Sequence, residues 1–151
     1  MIRILVDADA CPVKDEVYRV ALRHAAAVVI VSNSPIRVPA HPDISRVVVD
    51  DGFDAADDWI AERIGRGDVA VTADIPLAAR CLEKGARVLS TKGHLFTEDS
   101  IGDALATREL MSQLRQAGVV TGGPASMVKQ DRSRFLAGLE EAIRAAARER
   151  L

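Results

Sequence analysis

Short runs of β-branched residues alternate along the chain with stretches of helical period. The runs cover Arg3 to Val6, Val28 to Val31, Arg46 to Val49, Val69 to Thr72 and Arg87 to Leu89. None alternates apolar with polar positions, the pattern expected of strands buried on both faces. Between them the spacing of apolar positions predicts helices over 13–26, 55–64, 77–84 and 100–116, with a last one from Arg132 towards the C-terminus. Such alternation is the mark of a parallel sheet covered by helices. Pro12 suits a first helical turn, and Gly65 and Gly85 suit helix ends. The stretch Ser34 to Pro42 holds three prolines and reads as a surface loop. A second irregular stretch, Gly118 to Ser126, contains Gly122-Gly123-Pro124 and sets off the C-terminal helix. The expectation is one α/β domain over 1–151, with about five mainly parallel strands between helices and a helical extension over about 127–151.

Composition narrows the function classes. With 151 residues and 48% apolar content, the chain is long enough for one domain with a substantial core. A net charge of −2 supplies no global basic field, so contact with nucleic acid or an anionic membrane has to be local. No apolar run approaches the roughly 20 residues that span a bilayer, so no membrane partner is expected. Cys11 and Cys81 are too few for a disulfide framework or a thiolate zinc site, which fits a reducing cytoplasm. Aromatic content is 3%, which weakens any scheme that stacks bases on aromatic platforms.

Ligands of open α/β sheets sit outside the carboxyl ends of the strands, and here those ends are polar. Asp7-Ala-Asp9-Ala-Cys11 follows the first run, Ser32-Asn33-Ser34 the second, Asp50-Asp51-Gly52 the third, Thr72-Ala-Asp74 the fourth and Ser90-Thr91-Lys92-Gly93 the fifth. Carboxylates gathered at one sheet edge are what a hard cation such as Mg²⁺ or Mn²⁺ wants. Asp7, Asp9 and Asp74 are the catalytic candidates and, with Asp57, the candidate metal ligands. Asp7 ends a buried strand, and with Asp74 beside it the two carboxylates repel unless a cation or a proton lies between them. Asp9 is equally placed to cap the helix after Pro12. Asp54, Asp57 and Asp58 open the second helix, where acids interact well with its dipole. Asp54 and Asp57, three apart, face one side. Asp54 is a natural N-cap, which leaves Asp57 and Asp58 for a functional role.

Other candidates carry less. Cys11 sits near a helix N-terminus, where a thiolate is favoured, yet no histidine lies nearby in sequence to serve as its base. Cys81 falls inside a predicted helix and reads as core. His24, His41 and His94 show no metal-ligand spacing. Residues 129–151 hold six basic and four acidic side chains, against fourteen and eighteen in the rest, so this tail is the one net-positive region. Lys92, which follows the fifth run, and Lys129, Arg132 and Arg134 of this tail are the candidate phosphate contacts.

Several blocks together resemble a known group: Asp7-Ala-Asp9-Ala-Cys11-Pro12, Asp57-Asp58-Trp59-Ile60, Thr72-Ala-Asp74-Ile-Pro76-Leu77-Ala78, Thr91-Lys92-Gly93, and Gly122-Gly123-Pro124 followed by Asp131-Arg132-Ser133-Arg134-Phe135. In this order, over nearly the whole chain, they resemble the YaiI/YqxD family of uncharacterised bacterial proteins, which is grouped with PIN-like domains. That resemblance implies a three-layer sandwich and a likeness to metal-dependent nucleases. Such nucleases place one acid after the first strand, another on a helix, and another after a later strand with Ser or Thr two residues before it. Asp7, Asp57 and Thr72 with Asp74 match those places, and Asp9 adds a carboxylate. The implied chemistry is metal-assisted hydrolysis of RNA or DNA phosphodiesters. Two other likenesses are narrower. A strand followed by Asp-x-Asp also resembles the haloacid dehalogenase superfamily, with Asp7 as nucleophile and Asp9 as acid/base, although Asp74 is followed by Ile75 and not by a paired acid. Asp7, Asp9, Asp50 and Lys92 together imitate a response-regulator receiver, which would make the chain a non-enzymatic module; a metal- or nucleic-acid-binding module without turnover is a related reading.

Overall fold

The computed structural model describes residues 1–9, 11–50, 52, 54–118 and 127–149. Gly122-Gly123-Pro124, Asp51 and Arg150 lie outside the described residues. The strands are β1 (Arg3–Asp7), β2 (Ala27–Ser32), β3 (Ile44–Val48), β4 (Val69–Val71) and β5 (Arg87–Leu89). The helices are α1 (Lys14–Arg23), α2 (Ala55–Arg63), α3 (Ile75–Glu83), α4 (Glu98–Gln116) and α5 (Lys129–Glu149). The strands form one parallel sheet in the order β3-β2-β1-β4-β5. The chain builds outward from β1 to β3, then crosses to the other side of β1 for β4 and β5. The switch point, where crossover loops diverge and leave a crevice, therefore lies at the carboxyl ends of β1 and β4.

The pleat divides the core in two. Ile4 and Val6 of β1 pack with Val17 and Val20 of α1 and Phe135 and Leu139 of α5. Leu5 points the other way, into a cluster with Ile60 of α2 and Leu77 and Cys81 of α3. Each large side chain buried in this way stabilises the fold by about 1.5–3 kcal/mol. Alternation then decides where the strand ends aim. Asp7, two residues beyond Leu5, belongs to the α2/α3 face, and so does Thr72, two beyond Ala70, which pairs with Leu5 in register.

On the opposite face α5 seats against the turn after β5. A Cβ on Gly138 would lie 2.7 Å from the Gly93 carbonyl oxygen. One on Gly93, at φ +90°, would lie 2.5 Å from the Arg134 backbone. Both positions need glycine, and their contact sets Lys92 beside the first turns of α5.

Three local expectations change. The strands are not all buried on both faces: β3 is an edge strand paired only with β2, and Ser45, Arg46 and Val48 are exposed. Helix α1 begins at Lys14, after Pro12, and stops at Arg23 although alanines continue to Ala27. Ala25 turns left-handed at φ 54° while Ala26 N–H donates to the Ala21 carbonyl and Ala25 N–H to that of Leu22. That closure ends helices whatever the propensity of the residues beyond. Helix α4 starts earlier than its apolar period, at Glu98, because Thr97 and Ser100 cap each other's backbone N–H. Among the described residues no helix is long and apolar enough to cross a membrane.

Candidate active site

At the switch point Asp7, Asp9, Asn33, Asp54, Asp57 and Asp74 line an open cleft of about 520 Å³. Its floor is a short relay of polar groups. Asp74 N–H donates to Thr72 Oγ1 at 3.0 Å, and the Thr72 hydroxyl in turn donates to Asp7 Oδ2 at 2.9 Å. Thr72 is 1% exposed, so water does not compete for either bond. Asp7 is thereby held in one orientation, and its Oδ1 carries no hydrogen bond among the described residues. Asp74 caps α3, with Oδ1 accepting from Leu77 N–H at 3.0 Å, which leaves Oδ2 unbonded among the described residues.

Asp9 lines the cleft but does not take the capping role expected of it. The N-cap of α1 is Val13, without a side-chain cap bond. Both Asp9 oxygens instead accept from the Asn33 backbone N–H, at 3.0 and 3.1 Å, tying the end of β1 to the end of β2. Asp54 occupies the N-cap position of α2 in a left-handed conformation, φ 62°, and makes no cap bond. It faces the cleft, one turn before Asp57. Asp58 is turned outward to an ion pair with Arg80 at 2.8 Å and does not line the cleft.

The electrostatics of the cleft are repulsive. Burial pushes the Asp7 carboxyl above its usual range, against the hydrogen bond from Thr72, and the charges of Asp74 and Asp9 add to the rise. Asp57 is pushed up to about 7, first by burial and then by Asp74, Asp7 and Asp54, with Arg80 pulling it down. Carboxylates crowded so that one keeps its proton near neutrality take up a cation readily, and oxygen donors of this kind suit a hard one. As they stand, no three His, Cys, Asp or Glu side chains among the described residues are close enough to hold an ion. Asp7, Asp57 and Asp74 are the cleft residues that would hold such a cation.

The basic candidates lie elsewhere. Arg132 donates to the Pro12 carbonyl at 3.0 Å and to Glu16 at 3.2 Å, fastening α5 to the start of α1. Arg134 pairs loosely with Asp131 at 3.6 Å, Lys129 is exposed, and Lys92 sits on the turn beside α5. None of the four lines the cleft. The acids of the receiver-like pattern are parted as well: β3 lies beyond β2, so Asp50 is separated from Asp7 by a whole strand. The Cys11 thiol is buried, which pushes its pKa up and opposes the thiolate expected at a helix start. His24 ends α1 and bonds Glu140 through Nε2 at 2.6 Å. The sequence assigns Asp54 to a capping role it does not take, and Arg80 to none. The left-handed backbone that frees Asp54 leaves no sequence mark, whereas Asp74-Ile75-Pro76 was a readable helix start that would have put Arg80 on α3, near Asp57.

A family model described as "Uncharacterized BCR, YaiI/YqxD family" matches residues 5–145. The chain is 59% identical to a UPF0178 protein of Rhodospirillum rubrum, over 97% of this chain and 99% of that one. It is 58% identical to a UPF0178 protein of Nitrobacter winogradskyi, over 95% and 91% of the two chains. With a UPF0178 protein of Bradyrhizobium diazoefficiens it shares 58% identity over 99% and 89%. No solved structure matches the chain.

Proposed function

The chain belongs to the YaiI/YqxD family, and we propose that it is a divalent-metal-dependent nuclease that hydrolyses RNA or DNA phosphodiesters at the cleft between β1 and β4. The observation that carries this reading is the gathering of Asp7, Asp57 and Asp74 in one open cleft, with Asp57 pushed up to about 7 by burial and then by its acidic neighbours. The positions agree with those of PIN-like nucleases: an acid after the first strand, one on a helix, and one after a later strand with Thr two residues before it.

A bound Mg²⁺ or Mn²⁺ would supply Lewis acidity to a phosphodiester oxygen and to the attacking water. The protein's own groups do the rest. Thr72 holds the Asp7 carboxylate through Oδ2 and leaves its Oδ1 unbonded among the described residues, and Asp74 offers Oδ2 from the cap of α3. Asp57, pushed up to about 7 by burial and its neighbours, gives up its proton near neutrality and would then be free to help hold the ion. Asp9 braces the ends of β1 and β2 at the rim through Asn33. The same bracing tells against a dehalogenase-like phosphatase, because an acid/base at Asp9 would have to give up both bonds to the Asn33 amide.

Purified protein with Mn²⁺ or Mg²⁺ is expected to cut single-stranded RNA or structured DNA, and Asp7→Asn to lose at least about a hundredfold of that rate, as removal of a principal charge-stabilising group does. Equal cleavage by wild type and Asp7→Asn, which would point to a contaminant, contradicts the assignment. Hydrolysis of a small phosphomonoester in place of polynucleotide would favour the phosphatase reading.

A further inference from the structure

We propose that Arg80 of α3 and Arg108 of α4 form a phosphate subsite that holds a neighbouring phosphodiester of the strand lying in the acidic cleft. This rests on the nuclease reading for its substrate, but on separate residues. A second cavity of about 310 Å³ adjoins the first and shares Asp54, Asp57 and Asp74 as a common wall. Its far side is lined by Arg80 and Arg108. A guanidinium presents paired N–H donors that match two phosphate oxygens, and two of them across one cavity suit a single phosphate.

The charge balance makes such a subsite necessary. An acid-lined cleft repels a polyanion, and a net charge of −2 gives no general attraction. The next phosphate along the strand needs fixed positive charge within reach. Among the described residues Arg80's ion pair is with Asp58, and that pair is exposed on both sides, 43% and 54%, so exchange for phosphate loses little. Arg108 is exposed and makes no ion pair among the described residues. It stands two turns beyond Ile101, the residue that anchors α4 in the α2/α3-face core. Lys129, Arg132 and Arg134 start α5, which packs on the opposite face of the sheet, and they line neither cavity.

The test is binding of a fluorescein-labelled phosphorothioate oligonucleotide, which resists cutting, to the full chain in Mn²⁺, followed by anisotropy across a salt series. R80Q and R108Q should each weaken binding several-fold and lower the salt slope by about 0.7 per lost contact. K129Q and R134Q should bind as wild type. Circular dichroism confirms that the variants, all at exposed positions, stay folded. Wild-type affinity in R80Q and R108Q, no binding by wild type, or equal competition by inorganic phosphate and unlabelled oligonucleotide each overturns the subsite. The two proposals fail separately. Binding that depends on Arg80 and Arg108, without cleavage of natural strands, removes the nuclease and keeps the subsite; Asp7-dependent cleavage with R80Q and R108Q binding normally does the reverse.

Discussion

The two faces of the sheet differ in how much of their charge is paired. On the α1/α5 face charged groups answer one another: Arg132 meets Glu16, Arg87 meets Glu149, and Glu140 gathers His24, Arg23 and Arg144. The hydrogen bond from His24 holds the Glu140 carboxyl below its usual range. On the α2/α3 face Asp7, Asp54, Asp57 and Asp74 share one cleft, and two of them are pushed up by burial and by one another. Paired charges fasten elements together. Like charges kept together at a strand switch point oppose folding, and a bound cation, as proposed, would relieve them.

The sharpest way to break this contrast is to damage each face separately. Phe135 is fully buried between α5 and the sheet, so Phe135→Ala should cost about 3–5 kcal/mol in chemical denaturation while leaving cleavage per folded molecule intact. Equal losses of stability and specific activity would mean that the faces are not independent.

A smaller effect concerns pH. In the folded protein Asp57 keeps its proton to about pH 7, against an ordinary value of 3.8 in the unfolded chain. Between those values the folded state binds more protons, so Asp57's contribution to stability, full below 3.8, is lost as pH rises through 7. Thermal unfolding should show a downward trend in Tm across that window, flattened in Asp57→Asn, and Mn²⁺ should restore Tm above pH 7 but not below it. An identical pH profile in the variant would place the unrelieved charge elsewhere.

The smallest effect lies on the paired face. Ala25, exposed and left-handed at the end of α1, should gain roughly 0.5–1 kcal/mol on replacement by glycine, and cleavage should not change. A drop in stability would deny the left-handed closure of α1.

How much of this was legible in the sequence differs from residue to residue. Strand β1 and its terminal Asp7 stood out because an apolar run ending in a carboxylate has one natural place in a parallel sheet. The neighbourhood of Asp7 and Asp74 followed only once β4 paired with β1, and strand order is a long-range property that periodicity does not carry. The same limit made β3 read as buried when it lies at the edge. Capping was expected of Asp9 and found at Asp74, where Pro76 in the first turn of α3 was the local sign. Asp9's bond to the Asn33 amide joins residues 24 apart and depends on the β1–β2 register, so nothing local announces it.

The central claim, that this cleft is a metal site, is tested most directly by crystals soaked in Mn²⁺ and read for anomalous density. The account predicts a peak between Asp7, Asp57 and Asp74, with Thr72 still donating to Asp7 Oδ2. Density confined to other carboxylates, or a cleft without density at saturating Mn²⁺ above pH 7, would contradict it.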